Sequence, residues 1–502
     1  MNPVLDLTSP LGITISLIPE IVLTICAMLV LLVVSWRHKT AADSRLAGWL
    51  SVASLIVTGA ALAWLSMQQF ESEGLPFMVA LDGFRYLSSA LVLVLALAST
   101  LLSIGYLERE GITAPEYYVL LLLGTVGLMF MTAAQDLIVF FLALETMSMA
   151  VYVLAGYDRR SPASSEAGLK YFLIGAFASG FLLYGIALLY GSTGSTNLAL
   201  IGAQFADRPI PVMGLIGMGL LLIGFGFKVA AVPFHMWTPD VYEGAPTPVT
   251  GFMATGVKAA AFVAFARVLL SSFPQAAPQW RPVIWVLAVV TMILGNLVAL
   301  NQTSLKRLLA YSSVAHAGYL LVALWPGSPL GTASLLLYLV AYGVTTFAAF
   351  GILSALGTGG ERDITLAEIS GLAQSRPWLS FGLAVCMLSL LGFPGTLGFI
   401  GKWYILSAVI AEKNAPLAVV LVLTTVVSAG YYLPVIMAMY MRPARAPLVY
   451  YSVKLAPAAA ATVAIAIIAT LVFGFWPTEL LNAAGASAAS LLNGAASAVA
   501  GR

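Results

Sequence analysis

Apolar residues run through this chain in stretches too long for one face of a soluble helix, and charge, proline and glycine collect in the short segments between them. A helix rises about 1.5 Å per residue, so crossing about 30 Å of hydrocarbon takes roughly 20 residues. Fourteen stretches reach that length, at approximately 13–35, 47–67, 80–105, 117–133, 136–156, 168–190, 212–232, 247–270, 282–300, 304–324, 330–356, 378–411, 415–440 and 455–476. The pattern predicts an all-α polytopic membrane protein, because backbone polar groups in lipid must be satisfied within each helix. Connections are short and none suits a soluble domain. The first stretch lacks the positive region and small-residue cleavage site of a signal peptide and is expected to stay as a membrane helix.

Two spans are interrupted, and each interruption falls beside a lysine. Lys228 is followed by Val229-Ala230-Ala231-Val232-Pro233, and Gly392-Phe393-Pro394-Gly395 precedes Lys402 by about two turns. Proline removes a donor and frees carbonyls inside the helix, which is tolerated only where protein or water takes them up. Lys228 and Lys402 are 174 residues apart and Glu145 and His316 are 171 apart. These intervals predict a five-helix repeat, spans four to eight against nine to thirteen, with the second copy inverted as in many transporters. The expected organisation is an N-terminal three-helix segment (1–115), a first repeat (116–270), a second repeat (271–441) and a C-terminal helix with its tail (442–502). The Ala/Ser/Gly-rich residues 477–502 read as a short interfacial helix or a frayed end.

Composition agrees, with 61% hydrophobic and 9% charged residues. A net charge of +2 without a basic block excludes nucleic acid as a partner. Cys26 and Cys386 have no ligand spacing, so they read as packing residues and not as iron–sulfur or zinc ligands. With the N-terminus outside, inward loops hold Arg37, Lys39, Arg45, Arg109, Arg159, Arg160, Arg362, Arg376, Arg442, Arg445 and Lys454, whereas outward loops hold Arg208, Arg281 and Lys413. By the positive-inside rule both termini are expected to be periplasmic in a bacterial inner membrane.

The chemistry must lie with the charges kept inside apolar helices. Of the eight lysines, Lys170, Lys228, Lys258, Lys306 and Lys402 sit in or at the edge of spans, joined by Glu145. A charge at mid-bilayer costs about 2.5–3.5 kcal/mol on insertion scales, so such residues mark ion or proton pathways. Glu145 and Lys258 lie near the middle of their spans, and Lys228 and Lys402 lie at the breaks. Lys170 and Lys306 stand nearer span ends, where a lysine equally well reaches out to the interface. Arg85, Arg267 and Arg307, also near span ends, read as anchors. His235 follows the Pro233 break and His316 sits within a span. Either can relay a proton or serve as a hydrogen-bonded structural residue. Asp240 and Glu243, in the connection before the next span, read as loop charges, with a cytoplasmic entry as the alternative. Burial disfavours an ammonium ion and a nearby carboxylate favours it, so lysine–carboxylate sets suit protons, whereas a Na⁺ site would want several oxygen ligands.

The segment Lys228-Val-Ala-Ala-Val-Pro-Phe-His-Met-Trp-Thr-Pro-Asp-Val-Tyr-Glu-Gly-Ala-Pro-Thr-Pro-Val-Thr250 resembles the signature of the antiporter-like membrane subunits of respiratory complex I, the bacterial proton-pumping NADH-quinone oxidoreductase. Its Val241–Pro246 stretch is similar to the subunit N branch. The resemblance extends through Tyr152–Tyr157, Glu166–Gly180, Leu305–His316 and Gly392–Lys402, and covers about residues 115–440. The long lateral helix of a paralogous subunit is absent. The resemblance implies that Glu145 pairs with Lys228, that Lys258 is the central lysine and that Lys402 is the charge of the second broken helix. It also implies that Lys170, Lys306, His235 and His316 share one proton path. It implies no cofactor in this chain. Flavin (FMN), iron–sulfur clusters and the quinone site belong to partner subunits, among them antiporter-like paralogues, small membrane subunits and, indirectly, the peripheral redox arm. A subunit of a multisubunit cation/proton antiporter, or of a related ferredoxin- or hydrogenase-linked complex, would carry the same helices and lysines.

Overall fold

The computed structural model describes residues 4–6, 9–68, 71–73, 78–207, 209–356, 364–443 and 455–500. A short α1 (Pro10–Ser16) leads into α2 (Ile18–Trp36), α3 (Ala41–Met67) and α4 (Gly83–Arg109). Next come α5 (Pro115–Ala133), α6 (Leu137–Ala155), α7 (Pro162–Thr193), the short α8 (Leu198–Asp207), α9 (Val212–Val229) and α10 (Thr238–Gly244). One buried span follows in three parts: α11 (Thr247–Phe252), a π-helical turn (Met253–Val257) and α12 (Lys258–Ser272). Then come α13 (Ala277–Ala299), α14 (Leu305–Leu324), α15 (Pro329–Leu356), the single turn α16 (Leu372–Ser375), α17 (Pro377–Leu391), α18 (Leu397–Ala411) and α19 (Ala415–Met441). The chain closes with α20 (Pro457–Phe475) and α21 (Thr478–Ala500).

Among the described residues thirteen helices are long and apolar enough to cross a membrane, and the shorter apolar helices α17 and α18 fall within the remaining expected crossing, 378–411. The all-helical expectation holds apart from a three-residue parallel ladder, Val4–Asp6 with Glu71–Glu73. Helix starts follow side-chain chemistry. Thr40 and Asp43 form a capping box at α3, and the side chains of Asp82, Asp136, Ser161 and Ser304 accept first-turn amides of α4, α6, α7 and α14. The tail is a helix, and Ala484, Ser487, Ala488 and Leu491 of α21 are buried in its packing against α4 and α15. Arg208, Arg362, Arg445 and Lys454, used in the charge argument, lie outside the described residues.

The α11–α12 span lies at the centre, with every residue of its most apolar stretch buried, whereas α2 and α20 leave most of theirs open. Around it, α5 packs on α6, α6 on α7, α7 on α9 and α12 on α5. The same order recurs with α13 on α14, α14 on α15, α15 on α17 and α19 on α13. Without a hydrophobic gain between helices in lipid, such contacts depend on close backbone approach at small residues. At Gly127 a Cβ would sit 2.6 Å from Met147 N and 2.7 Å from Ala143 O of α6, and at Gly295 it would sit 2.6 Å from Ala315 N of α14. Gly127→Ala must push α5 off α6 and should cost about 1–3 kcal/mol. Thermal unfolding of the detergent-purified protein checks this against Gly59→Ala, where nothing lies within 4 Å and no loss is expected.

Candidate functional site

In the first half, the break after α9 presents Lys228 to the neighbouring helices. Ala230 takes a left-handed conformation at φ 60°, which ends the helix, and α10 resumes only at Thr238. Lys228 is buried, donates to Ser148 Oγ of α6 at 2.7 Å, and lies 5.4 Å and 5.5 Å from the ring centres of Tyr152 and Tyr171. Ser148 is one turn along α6 from Glu145, which is half-buried and accepts from Ser179 Oγ of α7. Glu145 and Lys228, expected as a pair, each bond a serine, and among the described residues no direct salt bridge joins them. Neighbours Leu142 and Met149 are exposed, so Glu145 stands toward the flank of the bundle and Lys228 within it.

The central lysine follows the π turn, which puts an extra residue into the helix immediately before it. Lys258 Nζ donates to the carbonyl of Ser313 at 2.6 Å and to its Oγ, and Tyr342 OH donates to the same Oγ at 2.8 Å. Ser312, Ser313, His316 and Tyr319 follow helical spacing and share one side of α14. One ring nitrogen of His316 lies 2.6 Å from Tyr338 OH and the other 3.0 Å from Tyr432 OH, which also bonds Ser312 Oγ. Lys402 bonds the carbonyl of Leu391 at 3.1 Å, a group freed by the second break, and its Nζ is 4.5 Å from the Tyr319 ring centre. The left-handed Gly392 (φ 89°) makes room, since a Cβ there would meet Lys402 Cδ at 3.0 Å. Lys258, His316 and Lys402 are all buried.

A third group gathers at α10 and the first turns of α7 and α14. Lys170 bridges Glu166 at 2.6 Å and Asp240 at 2.7 Å, and Arg307 bridges Asp240 at 3.0 Å and Glu243 at 2.6 Å. Lys306, buried, donates to the carbonyls of Glu243 and Ala245 at 3.3 Å and 3.2 Å. Asp240 and Glu243 are thus ion-paired residues of α10 and not free loop charges, and Arg307 is a member of the cluster and not an anchor. Lys170 keeps 40% of its side chain exposed, which sets it at the mouth. Burial pushes the Asp240 carboxyl up, but hydrogen bonds from Lys170 and Arg307 outweigh that and hold it below its ordinary 3.8. His235 is half-buried in the bend before α10, and no hydrogen bond joins it to the other candidates among the described residues.

The remaining anchor expectations also fail. Arg85 and Arg267 are fully buried at the opposite end of the molecule, paired with Glu20 and Asp82. The partners that sequence reasoning missed are Ser148, Ser179, Ser312, Ser313, Tyr319, Tyr338, Tyr342 and Tyr432. For those on α14 the signal was their helical spacing from His316. Among the described residues no His/Cys/Asp/Glu group converges to hold a metal ion. The arrangement is a series of separate hydrogen-bonded groups of titratable amines, an imidazole and hydroxyls, a chemistry suited to proton transfer.

Known proteins resemble this chain in sequence and fold. A family model described as NADH:quinone oxidoreductase/Mrp antiporter, TM, matches residues 134–428. NADH-quinone oxidoreductase subunit N of Gemmatimonas aurantiaca is 44% identical, covering 95% of this chain and 94% of that protein. The subunit N of Trichlorobacter lovleyi is 43% identical over 93% of this chain and 95% of its own. Among solved structures, a chain of respiratory complex I from Thermus thermophilus with bound aureothin superimposes with a TM-score of 0.78 at 34% identity, over 93% of this chain and all of that one. A chain of the Mrp complex from Dietzia sp. reaches a TM-score of 0.82 at 21% identity, covering 97% of this chain and 99% of that one, a likeness of fold alone.

Tyr432→Phe leaves Ser312 Oγ without its partner and His316 with one partner, and should cost about 1–3 kcal/mol in unfolding experiments. The exposed Tyr440→Phe should cost nothing measurable. Because the Asp240 carboxyl is depressed, its bridge between α7 and α14 is complete above pH 3.8 and is lost as pH falls through the lowered value. Amide protection in α10 should hold down to that range and vanish below it, and Asp240→Asn should lack it already at neutral pH.

Proposed function

We infer the function from one premise: the chain belongs to the NADH:quinone oxidoreductase/Mrp antiporter family of membrane subunits, on its subunit N branch. It is a multi-pass, membrane-arm subunit of a proton-pumping NADH-quinone oxidoreductase. The path proposed within it begins at the cluster of Lys170, Asp240, Glu243 and Lys306, where exposure falls from the mouth inward. It continues through the set around Lys228 and Glu145, then Lys258, Ser313 and Tyr342, then His316 with Tyr338 and Tyr432, and reaches Lys402. His235, beside the first break, serves the intake side.

The observation that supports this reading best is the polar side of α14, where Ser313 receives Lys258 while Ser312 and His316 share Tyr432. A lysine there loads a proton, the adjoining hydroxyls pass it, and the groups titrate as a coupled set. The repeated packing order of α5–α12 and α13–α19 supports two inverted modules, 116–270 and 271–441, placed behind the N-terminal three helices. Both termini lie on the periplasmic side in this reading, with the intake cluster cytoplasmic. Other membrane-arm subunits flank the chain. FMN, iron–sulfur clusters and quinone reside in partner subunits, and quinone reduction there drives the pump.

Lys258→Met should leave the complex assembled and cut protons pumped per NADH oxidised by roughly tenfold or more. Proton uptake by proteoliposomes containing the intact complex checks this. Normal pumping by the variant would remove Lys258 from the path. Purification through a tag on this chain distinguishes the cation/proton antiporter reading, which requires that no peripheral redox subunits come with it.

A further inference from the structure

At the end of the bundle opposite the intake cluster, three buried charges, Glu20, Arg85 and Arg267, and the partly exposed Asp82 form a layer that the proton path does not use. Arg267 holds Asp82 through two parallel bonds of 2.6 Å and 2.9 Å, and Arg85 holds both oxygens of Glu20 at 2.8 Å and 2.9 Å. Arg85 also donates to the carbonyls of Ala80 and Ser16, and its own amide bonds Asp82 at 2.7 Å. Ser490 of α21 receives the amide of Phe84 at 3.1 Å, and the Phe84 ring centre lies 5.2 Å from the Arg267 guanidinium. The layer therefore ties together α1, α2, α4, α12 and α21, and the side chains of Glu20 and Arg85 are 0% exposed.

Its chemistry is the reverse of that in the path. A guanidinium does not release its proton in a protein, and a carboxylate gripped by one stays ionised. Burial pushes the Asp82 carboxyl up, and the charge of Arg267 more than reverses that, leaving it below its ordinary value. The charges cancel and none of them is a ready carrier. Between Lys258 and Arg267, about 13 Å along α12, the residues are Ala259-Ala260-Ala261-Phe262-Val263-Ala264-Phe265-Ala266, all buried and apolar. No relay group lies on that stretch.

We propose that Arg267–Asp82 and Arg85–Glu20 form the far-side seal of the proton module, closing the end of α12 so that protons from the far face cannot return along it to Lys258. The role rests on the pumping function above and makes these four residues positioning residues for a dry barrier. Removing one charge leaves its partner buried and unpaired, which draws in water or opens the packing.

The test uses the intact complex in liposomes: passive decay of an imposed pH gradient is read without NADH, and NADH oxidation and pumping are then read after NADH is added. Asp82→Asn, nearly isosteric, should speed passive decay of the gradient by roughly fivefold or more, while NADH oxidation continues. The double change Asp82→Leu with Arg267→Leu leaves no unpaired charge at that pair and should restore much of the tightness. Glu20→Gln serves as the second single variant. Wild-type decay in assembled Asp82→Asn and Glu20→Gln complexes would overturn the proposal, as would loss of pumping without leak, which would make the layer a relay. Failure of both variants to assemble would make it a folding staple and also overturn it. Lys258→Met in the same assay should stop pumping without leak. Normal pumping in that variant would count against the path while leaving the leak result standing.

Discussion

A charged group taken out of water must find a partner, and that requirement governs this molecule more than hydrophobic burial does. Apolar surface is cheap to place in a bilayer, so the many leucines, valines and alanines fix only that the chain spans. The buried lysines, arginines and carboxylates decide which helices must touch, because each needs a hydrogen-bond acceptor or counter-charge within a few ångströms. The structure meets this need in two ways. Arginines take carboxylates in two-pronged pairs, and lysines take serine hydroxyls, tyrosine faces and carbonyls released where helices break.

That division is also a division of labour. An arginine–carboxylate pair is locked in its charge state, and such pairs hold helices together at Arg85 and Arg267, whereas at the intake cluster Arg307 shares Asp240 with Lys170. A lysine on hydroxyls and carbonyls has no fixed counter-charge, so its proton can leave. Lys228, Lys258 and Lys402 are all of this kind. The second break frees the Leu391 carbonyl for Lys402, whereas Lys258 takes the remaining lone pair of the Ser313 carbonyl within the unbroken α14.

Much of this was legible in the sequence. Hydropathy alone located the crossings, proline and glycine marked both breaks, and the lysines within spans marked the helices on which the proposed path runs. The serines and tyrosines that receive those lysines were not legible, because hydroxyl residues are common in membrane helices and bond their own backbone by default. Ser103 and Thr125 each bond a carbonyl four residues back in their helix, while Ser148 does this and also receives Lys228. Arg85 and Arg267 misled for a related reason. An arginine near a span end is usually an interfacial anchor, and their partners Glu20 and Asp82 lie 65 and 185 residues away along the chain. The Glu145–Lys228 pairing implied by family resemblance takes the form of two serine bonds, with Ser148, which receives Lys228, one turn along α6 from Glu145.

The account stands on connection: ionisable side chains of α6, α9, α12, α14 and α18 must form one wet route through the protein. The most direct measurement is an experimental map of the assembled complex fine enough to place ordered water. The account predicts water joining the Ser148–Lys228 group to the Lys258–Ser313 group, and His316 to Lys402. Dry apolar packing across either gap, or Glu145 facing acyl chains with no polar neighbour, would contradict it.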